Sequence, residues 1–152
     1  MINDRDDTFA CFVREVEPGL RRALTGHLRA DQVPDALAEA FAYAWQHRER
    51  VMTMENPTGY LYRVAQSKSR ARRQGWLEWN GDREVRDVEP GLADALASLS
   101  PAQYRAVWLV HGCGWTYSET AVALDVSAST VGSHVSRAMS HLRERLGAVT
   151  NG

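Results

Sequence analysis

A block of positive charge without a single carboxylate occupies residues 57–75. Guanidinium and ammonium groups neutralise phosphates, and aromatic rings provide faces on which unstacked bases can lie. The block therefore favours a polyanion such as nucleic acid as partner, although a solvated helix face would carry the same charges. Its cations are Arg63, Lys68, Arg70, Arg72 and Arg73, with Tyr60 and Tyr62 beside the first of them.

A second group of polar side chains lies in residues 129–137. Short hydroxyl groups, an imidazole and one guanidinium can bond to phosphates and reach the edges of bases. Arg137 is the best single candidate for such a contact, although a polar helix face needs no ligand. The candidates are Ser129, Thr130, Ser133, His134, Ser136 and Arg137.

The sequence offers no catalytic constellation. It contains no nucleophile paired with a base, no acidic metal cluster and no glycine-rich phosphate loop. Cys11 and Cys113 stand far apart and form neither a CxxC motif nor a Cys/His cluster, which disfavours a metal site and a disulfide framework. We therefore expect a protein that is not an enzyme and that has no cofactor, metal or small-molecule substrate.

Length and composition are typical of a soluble protein. The chain has 152 residues, of which 44% are hydrophobic and 24% charged, and this suits one ordinary domain or two very small ones. No apolar run approaches the roughly 18 residues that a membrane span needs. The acidic start, MINDRDDTF, lacks the apolar core of a secretory signal. We expect a cytoplasmic protein without membrane insertion.

Helical periodicity dominates the N-terminal half. Apolar residues from Phe9 to Leu28 recur at three- and four-residue steps, which places them on one helix face. A second helix begins at Pro34–Asp35, and Asn56–Pro57 provides the N-cap and first residue of a third, which enters the cationic block. Residues 47–55 are predicted to form a polar loop between the second and third helices.

The C-terminal half contains two marked helix starts. Residues 100–103 and 116–119 both fit capping boxes, and the two glycines in residues 111–114 predict a turn between these helices. Residues 125–127 form a second turn, after which Ser127 caps a last helix with an inward apolar stripe. This pattern predicts a helix-turn-helix, whose second helix enters the major groove of DNA.

Residues 75–91 separate the two halves and are rich in glycine and acidic side chains, as is typical of a linker. The sequence therefore predicts an all-α protein of two small helical domains, residues 1–74 and 92–149, joined by a short acidic linker.

Residues 96–146 resemble region 4 of bacterial sigma-70 factors of the extracytoplasmic-function class. The shared residues run through the whole segment and include the helix starts and both helices of the helix-turn-helix. They are Leu99, Pro101, Gln103, Arg105, Val107, Gly114, Tyr117, Glu119, Ala121, Leu124, Val126, Ser127, Thr130, Val131, Ser133, Arg137, Ala138, Leu142 and Leu146.

Residues 8–74 resemble region 2 of the same class, and residues 56–66, NPTGYLYRVAQ, resemble the start of its promoter-melting helix. An acidic and aromatic helix binds the polymerase in that class. The residues standing at its positions here are Asp35, Glu39, Phe41 and Trp45.

The resemblance implies an alternative sigma factor that binds core RNA polymerase and promoter DNA, with an anti-sigma factor as a further partner. Region 4 would read the minus-thirty-five element as a duplex through Thr116, Ser127, Ser129, Thr130, Ser133, His134 and Arg137. Region 2 would read and open the minus-ten element through Tyr60, Arg63, Gln66, Ser67, Lys68, Arg70, Arg72 and Arg73. Two alternatives stay open: a stand-alone helix-turn-helix regulator, and a sigma-like polymerase adaptor without promoter specificity.

Three departures from the family pattern bear on these sites. Ala38 stands where glutamine is common on the polymerase-facing helix, and Ser67 stands where asparagine is common on the melting helix. Gly132 replaces a commonly basic residue on the recognition helix, and a glycine in mid-helix costs roughly 0.5 to 1 kcal/mol relative to alanine. We therefore expect promoter affinity to be weak.

Overall fold

The computed structural model describes residues 4–70 and 91–150, with side chains described except at 69, 70 and 148–150. All regular secondary structure in these two ranges is helical, which confirms the predicted all-α class. The linker predicted at residues 75–91 lies outside the described residues except for Gly91. We call residues 4–70 the N-terminal unit and residues 91–150 the C-terminal unit.

The N-terminal unit consists of three long helices and one short one. Their bounds are α1 Asp4–Thr25, α2 Val33–Gln46, α3 Arg48–Val51 and α4 Pro57–Arg70. Val16, Leu20 and Leu24 of α1 are buried, as their spacing predicts. The predicted cap of α4 is also present, since the Asn56 side-chain oxygen accepts from the Gly59 N–H at 3.0 Å.

The prediction of a continuous polar loop over residues 47–55 is wrong, because α3 lies inside that stretch. Its last residue, Val51, is completely buried and anchors this single helical turn on the core. Four residues are too few to produce a helical period in the sequence, so only packing against the rest of the unit reveals this helix.

The C-terminal unit contains four α-helices and a π-helical turn. Their bounds are α5 Leu92–Ala97, α6 Pro101–Val107, the π-helical turn Trp108–Gly112, α7 Tyr117–Leu124 and α8 Ala128–Thr150. Both predicted capping boxes are present. The Ser100 hydroxyl accepts from the Gln103 N–H at 3.2 Å, and the Thr116 hydroxyl accepts from the Glu119 N–H at 3.1 Å.

A helix-turn-helix is formed by α7, the turn at residues 125–127 and α8. Asp125 adopts the left-handed conformation, with φ 56° and ψ 48°, and ends α7. Ser127 begins α8 by accepting a hydrogen bond from the Thr130 N–H at 3.1 Å. Val131 and Val135, on the inner face of α8, are buried, so the predicted inward stripe is confirmed.

The predicted turn at residues 111–114 is wrong in its first half. His111 and Gly112 belong to the π-helical turn, and the Cys113 N–H donates to the Trp108 carbonyl five residues earlier at 2.9 Å. Gly114 does have a positive φ, 74°, and begins the segment that leads into α7. A π-helical turn holds an extra residue without breaking the helix, which no sequence period indicates.

The two units pack against each other and share one hydrophobic core. Leu109 and Ala123 of the C-terminal unit are fully buried among residues of α1, α2 and α4. Trp108 also makes a hydrogen bond between the two units, since its indole N–H donates to the Ala23 carbonyl at 3.1 Å. Tyr104 donates to the Gly26 carbonyl at 2.7 Å. We call this contact the unit interface.

We predict that Ser100→Ala lowers the free energy of unfolding by about 1 kcal/mol, because the Gln103 N–H loses its acceptor. Chemical denaturation followed by circular dichroism measures the change. The matched control is Ser140→Ala, which removes an exposed hydroxyl in the middle of α8 and should change stability by no more than about 0.5 kcal/mol. Equal losses in the two variants would contradict the capping role.

Candidate nucleic-acid interface

The outer face of α8 presents the side chains that the sequence predicts for base and phosphate contacts. Ser129, Ser133 and Arg137 are exposed, while Thr130 and His134 are half-buried at its flanks. These residues project outward because Val131 and Val135 face the core. The face therefore carries short hydrogen-bonding groups and one guanidinium, which suits a DNA groove.

Two members of the predicted set also have a local structural role. The Thr116 and Ser127 side chains both accept backbone hydrogen bonds at helix starts. The Ser127 hydroxyl also lies 2.8 Å from that of Thr130 and 3.0 Å from that of Ser129. These hydrogen bonds fix the position of the first turn of α8, the part of a recognition helix that contacts bases.

Gly132 leaves room for an aromatic side chain on the recognition helix. A Cβ atom at this position would lie 3.4 Å from the Tyr117 ring, so the ring lies next to the bare backbone of α8. Tyr117 is itself exposed. The surface that lacks a basic side chain at residue 132 is therefore partly covered by a phenol ring.

The cationic face of α4 is formed by Arg63, Ser67 and Lys68, which are all exposed. Gln66, predicted as a contact on the same face, is instead buried, with 8% of its surface exposed. It lies one helical turn after Tyr62, which is fully buried and belongs to the core. The Arg70 side chain and residues 72 and 73 lie outside the described part of the chain.

Tyr60 is half-buried in a cluster that includes two residues the sequence did not indicate. Its hydroxyl lies 3.0 Å from that of Tyr43 on α2, and Arg50 on α3 donates to both, at 2.9 and 2.8 Å. Lys68 lies over the Tyr43 ring, with its Nζ 5.8 Å from the centroid. Aromatic faces and cations thus meet where α2, α3 and α4 converge.

The electrostatics of this cluster keep the Tyr60 phenol protonated. The hydrogen bond with Tyr43, followed by burial, raises the pKa of Tyr60 above its ordinary value, against the opposing charges of Arg50 and Arg63. A protonated phenol can donate as well as accept. No sequence signal identifies Tyr43 and Arg50, because they stand in different helices and only tertiary packing brings them to Tyr60.

The predicted polymerase-binding residues lie along the outer side of α2. Asp35 is exposed, and Glu39 and Phe41 are half-buried. Trp45 is 38% exposed; its ring contacts Phe9 edge-on at 5.0 Å, and the Arg48 guanidinium lies 4.4 Å above it. Ala38, the departure noted above, is also exposed on this helix.

Residues 91–142 match the family model described as Sigma-70, region 4. The matched residues run from the start of α5 through most of α8. The sigma factor RpoE from Bartonella quintana, solved in complex with the anti-sigma factor NepR, is similar over 92% of this chain and 97% of its own, with 24% identity and a TM-score of 0.65. CnrH, solved in complex with the cytosolic domain of CnrY, is similar over 94% of this chain and 90% of its own, with 21% identity and a TM-score of 0.68. A search of curated protein sequences finds no match.

The described residues form two helical units, and the second contains a helix-turn-helix. Residues 91–142 are therefore similar to sigma-70 region 4, and the fold of both units is similar to that of the sigma factor RpoE and of CnrH.

Two negative findings apply to the described residues. Residues 4–70 and 91–150 contain no helix with the length and hydropathy of a membrane span. The same ranges contain no group of three or more His, Cys, Asp or Glu side chains placed to hold a metal ion.

Cys113 lies at the unit interface, where it packs against the shared core. Burial raises the pKa of its thiol to about 11, although Arg22 acts in the opposite direction. Cys11, on α1, is exposed. The two native thiols therefore differ in environment, one at the interface and one in solvent.

We predict that a thiol-specific reagent at pH 8 modifies Cys113 about tenfold more slowly than Cys11, or slower still. The physical reason is that the raised pKa of Cys113 lowers its thiolate fraction, and burial limits access. Peptide mapping by mass spectrometry measures both rates in one sample. In denaturant the two rates should converge, and equal rates in the native chain would show that the prediction is wrong.

Proposed function

We propose that this chain is an alternative sigma factor that binds core RNA polymerase and directs promoter recognition and transcription initiation. The observation that carries the proposal is the combination of a sigma-70 region 4 helix-turn-helix with a fold similar to sigma factors over both units. A helix-turn-helix regulator acting alone would not require the N-terminal unit to have this fold.

The proposed roles of the domains are those that the family resemblance implies, and the chemistry of their surfaces supports them. Residues 92–149 would form the region 4 domain and read the minus-thirty-five duplex through the outer face of α8. Ser129, Ser133 and Arg137 are exposed there, in the part of a recognition helix that reaches base edges and phosphates. Residues 1–74 would form the region 2 domain and contact the minus-ten element.

Opening the minus-ten element requires that base stacking be disrupted, at a cost of about 1 to 2 kcal/mol per step. Cations that hold the single strand and aromatic faces that stack on its bases can offset part of this cost. Arg63 and Lys68 provide exposed cations on α4, while Tyr60 and Tyr43 provide the nearby rings. Arg70, Arg72 and Arg73 continue the positive charge in the sequence.

Core polymerase would bind the outer side of α2 through Asp35, Glu39, Phe41 and Trp45. Exposed aromatic side chains are favoured at the centre of protein interfaces, and Trp45 is the largest one on this helix. The polymerase would perform the chemistry of RNA synthesis, so the subunit itself needs no catalytic group or cofactor.

An anti-sigma factor is the proposed regulatory partner. RpoE was solved with an anti-sigma factor, and CnrH with the cytosolic domain of CnrY. A cytoplasmic location follows from the proposed function, since core polymerase and promoter DNA are found there.

Run-off transcription from a genomic promoter library, with purified core polymerase and this subunit, tests the proposed function. We expect discrete transcripts that depend on adding the subunit. Binding to core polymerase without promoter-specific transcripts would indicate an adaptor. DNA binding without any association with polymerase would indicate a stand-alone regulator, and either result would contradict the proposal.

We predict that Arg137→Ala weakens binding to a promoter duplex by roughly 5- to 150-fold if Arg137 contacts a base, because a good base contact contributes about 1 to 3 kcal/mol. Fluorescence anisotropy with a duplex found in the run-off assay measures the loss. Arg143→Ala is the matched control, since it removes an equal, exposed charge from a later turn of α8. Equal losses in both variants would indicate general electrostatic attraction and contradict the role of Arg137.

A further inference from the structure

A cavity at the junction of α2 and α3 has no role in the sites described above. Its volume is about 470 Å³, which falls in the range of about 300 to 1,000 Å³ that small-molecule sites occupy. Its lining runs from the last residue of α2 to the third residue of α3. The lining residues are Gln46, His47, Arg48, Glu49 and Arg50.

Two guanidinium groups provide most of the hydrogen-bond donors of the cavity. Arg48 donates from Nη1 to the Trp45 carbonyl at 2.8 Å. Arg50 donates from Nη2 to the hydroxyls of Tyr43 and Tyr60, at 2.8 and 2.9 Å. A guanidinium carries five N–H groups in a rigid fork, so each arginine keeps further donors after these bonds. Such a fork matches the oxygen atoms of a phosphate group.

An aromatic surface borders the same cavity. His47 is exposed, and the centroid of its ring lies 4.3 Å from that of Tyr43. The phenol ring therefore supports an imidazole that is accessible to solvent. A nucleobase can stack on aromatic side chains of this kind, because every base has a π-face.

Glu49 narrows the chemistry of the ligand. Its carboxylate and the amide of Gln46 are exposed and add hydrogen-bond acceptors to the lining. A carboxylate repels a phosphate at close range, but it accepts hydrogen bonds from the amino groups of a base. The lining therefore suits a ligand that joins an anionic group to a ring with N–H donors, and it suits a bare phosphate ion less well.

We propose that this cavity binds a nucleoside phosphate, with the phosphate on Arg48 and Arg50, the base stacked on His47 and the N–H donors of the base on Glu49. A free nucleotide and a nucleotide within an unpaired strand share this chemistry, so the experiment below separates the two sources.

Both arginines also contact side chains of the faces that we propose for polymerase and DNA. The Arg48 Cζ lies 4.4 Å from the centroid of the Trp45 ring. The Arg50 Cζ lies 5.6 Å from the centroid of the Tyr60 ring. A ligand that engages these guanidinium groups would therefore change the surroundings of both rings. This consequence rests on the proposed function, whereas the binding itself does not.

Titration of mant-GDP, a fluorescent nucleoside diphosphate, with the full chain tests the site by fluorescence anisotropy. Guanine suits the test because its edge carries N–H donors. We expect saturable binding with a Kd below about 0.1 mM. Arg48→Ala and Arg50→Ala should each weaken binding about tenfold or more, because each removes hydrogen bonds to a charged group.

Arg145→Ala is the matched control, since it removes an equal, exposed charge from α8 in the other unit. It should change the Kd less than about twofold. His47→Ala should weaken binding by about fivefold or more, because the base loses its stacking surface. This variant leaves both arginines in place and so tests the base independently of the phosphate.

Competition identifies the source of the nucleotide. Displacement of mant-GDP by less GDP than a ten-base single strand of mixed sequence would support a free nucleotide as ligand. Displacement by less of the strand would support an unpaired strand. Inorganic phosphate at the same concentration should displace little of the label.

Three results would overturn the proposal. They are binding that does not saturate by about 1 mM, equal losses in Arg50→Ala and Arg145→Ala, and displacement by inorganic phosphate as effective as that by GDP. If Arg50→Ala fails to fold by circular dichroism, Arg48→Ala and His47→Ala decide in its place. These assays contain no polymerase or promoter, so a failed run-off assay alone would reject the proposed function and not this site.

Discussion

The packing of Trp108 against Gly26 is the contact on which the arrangement of the two units depends. It occurs just after the end of α1, where a helix leaves its last carbonyl groups without partners inside the helix. The Trp108 indole N–H reaches the Ala23 carbonyl, and the Tyr104 hydroxyl reaches the Gly26 carbonyl. The C-terminal unit thus adds hydrogen-bond donors at the end of α1, where the Ala23 carbonyl also accepts from the Gly26 N–H at 3.3 Å. The apolar parts of the same side chains extend the core across the interface.

Packing also decides which side chains of α4 are exposed. One side of α4 buries Tyr62 and Gln66, while the other presents Arg63 and Lys68. The recognition helix α8 keeps its outer face in solvent, because its apolar stripe is already covered by the C-terminal unit. Of the two faces proposed to contact DNA, that of α8 is therefore exposed at Ser129, Ser133 and Arg137, while that of α4 is in contact with the neighbouring unit at Arg63.

Local sequence signals predicted the elements that are long or that have a definite start. Short-range hydrogen bonding predicts the capping boxes at Ser100 and Thr116 and the cap at Asn56. Helical periodicity predicts the apolar stripe on the inner face of α8. The predictions failed where packing alone decides the structure. Such cases are the one-turn helix α3, the π-helical turn and the burial of Gln66. The cluster of Tyr43, Arg50 and Tyr60 could not be predicted because its members come from three helices.

The sequence by itself determined the helical class, the helix-turn-helix and the positive character of α4, because caps, periodicity and charge are properties of neighbouring residues. The tertiary structure alone decided that the two units share a core and that Asp125 faces Arg63. The Arg63–Asp125 ion pair and the hydrogen bonds of Trp108 and Tyr104 to the end of α1 join residues more than sixty positions apart. Their energy comes from surfaces that meet only after both units have folded. A sequence read residue by residue carries no signal for such an encounter.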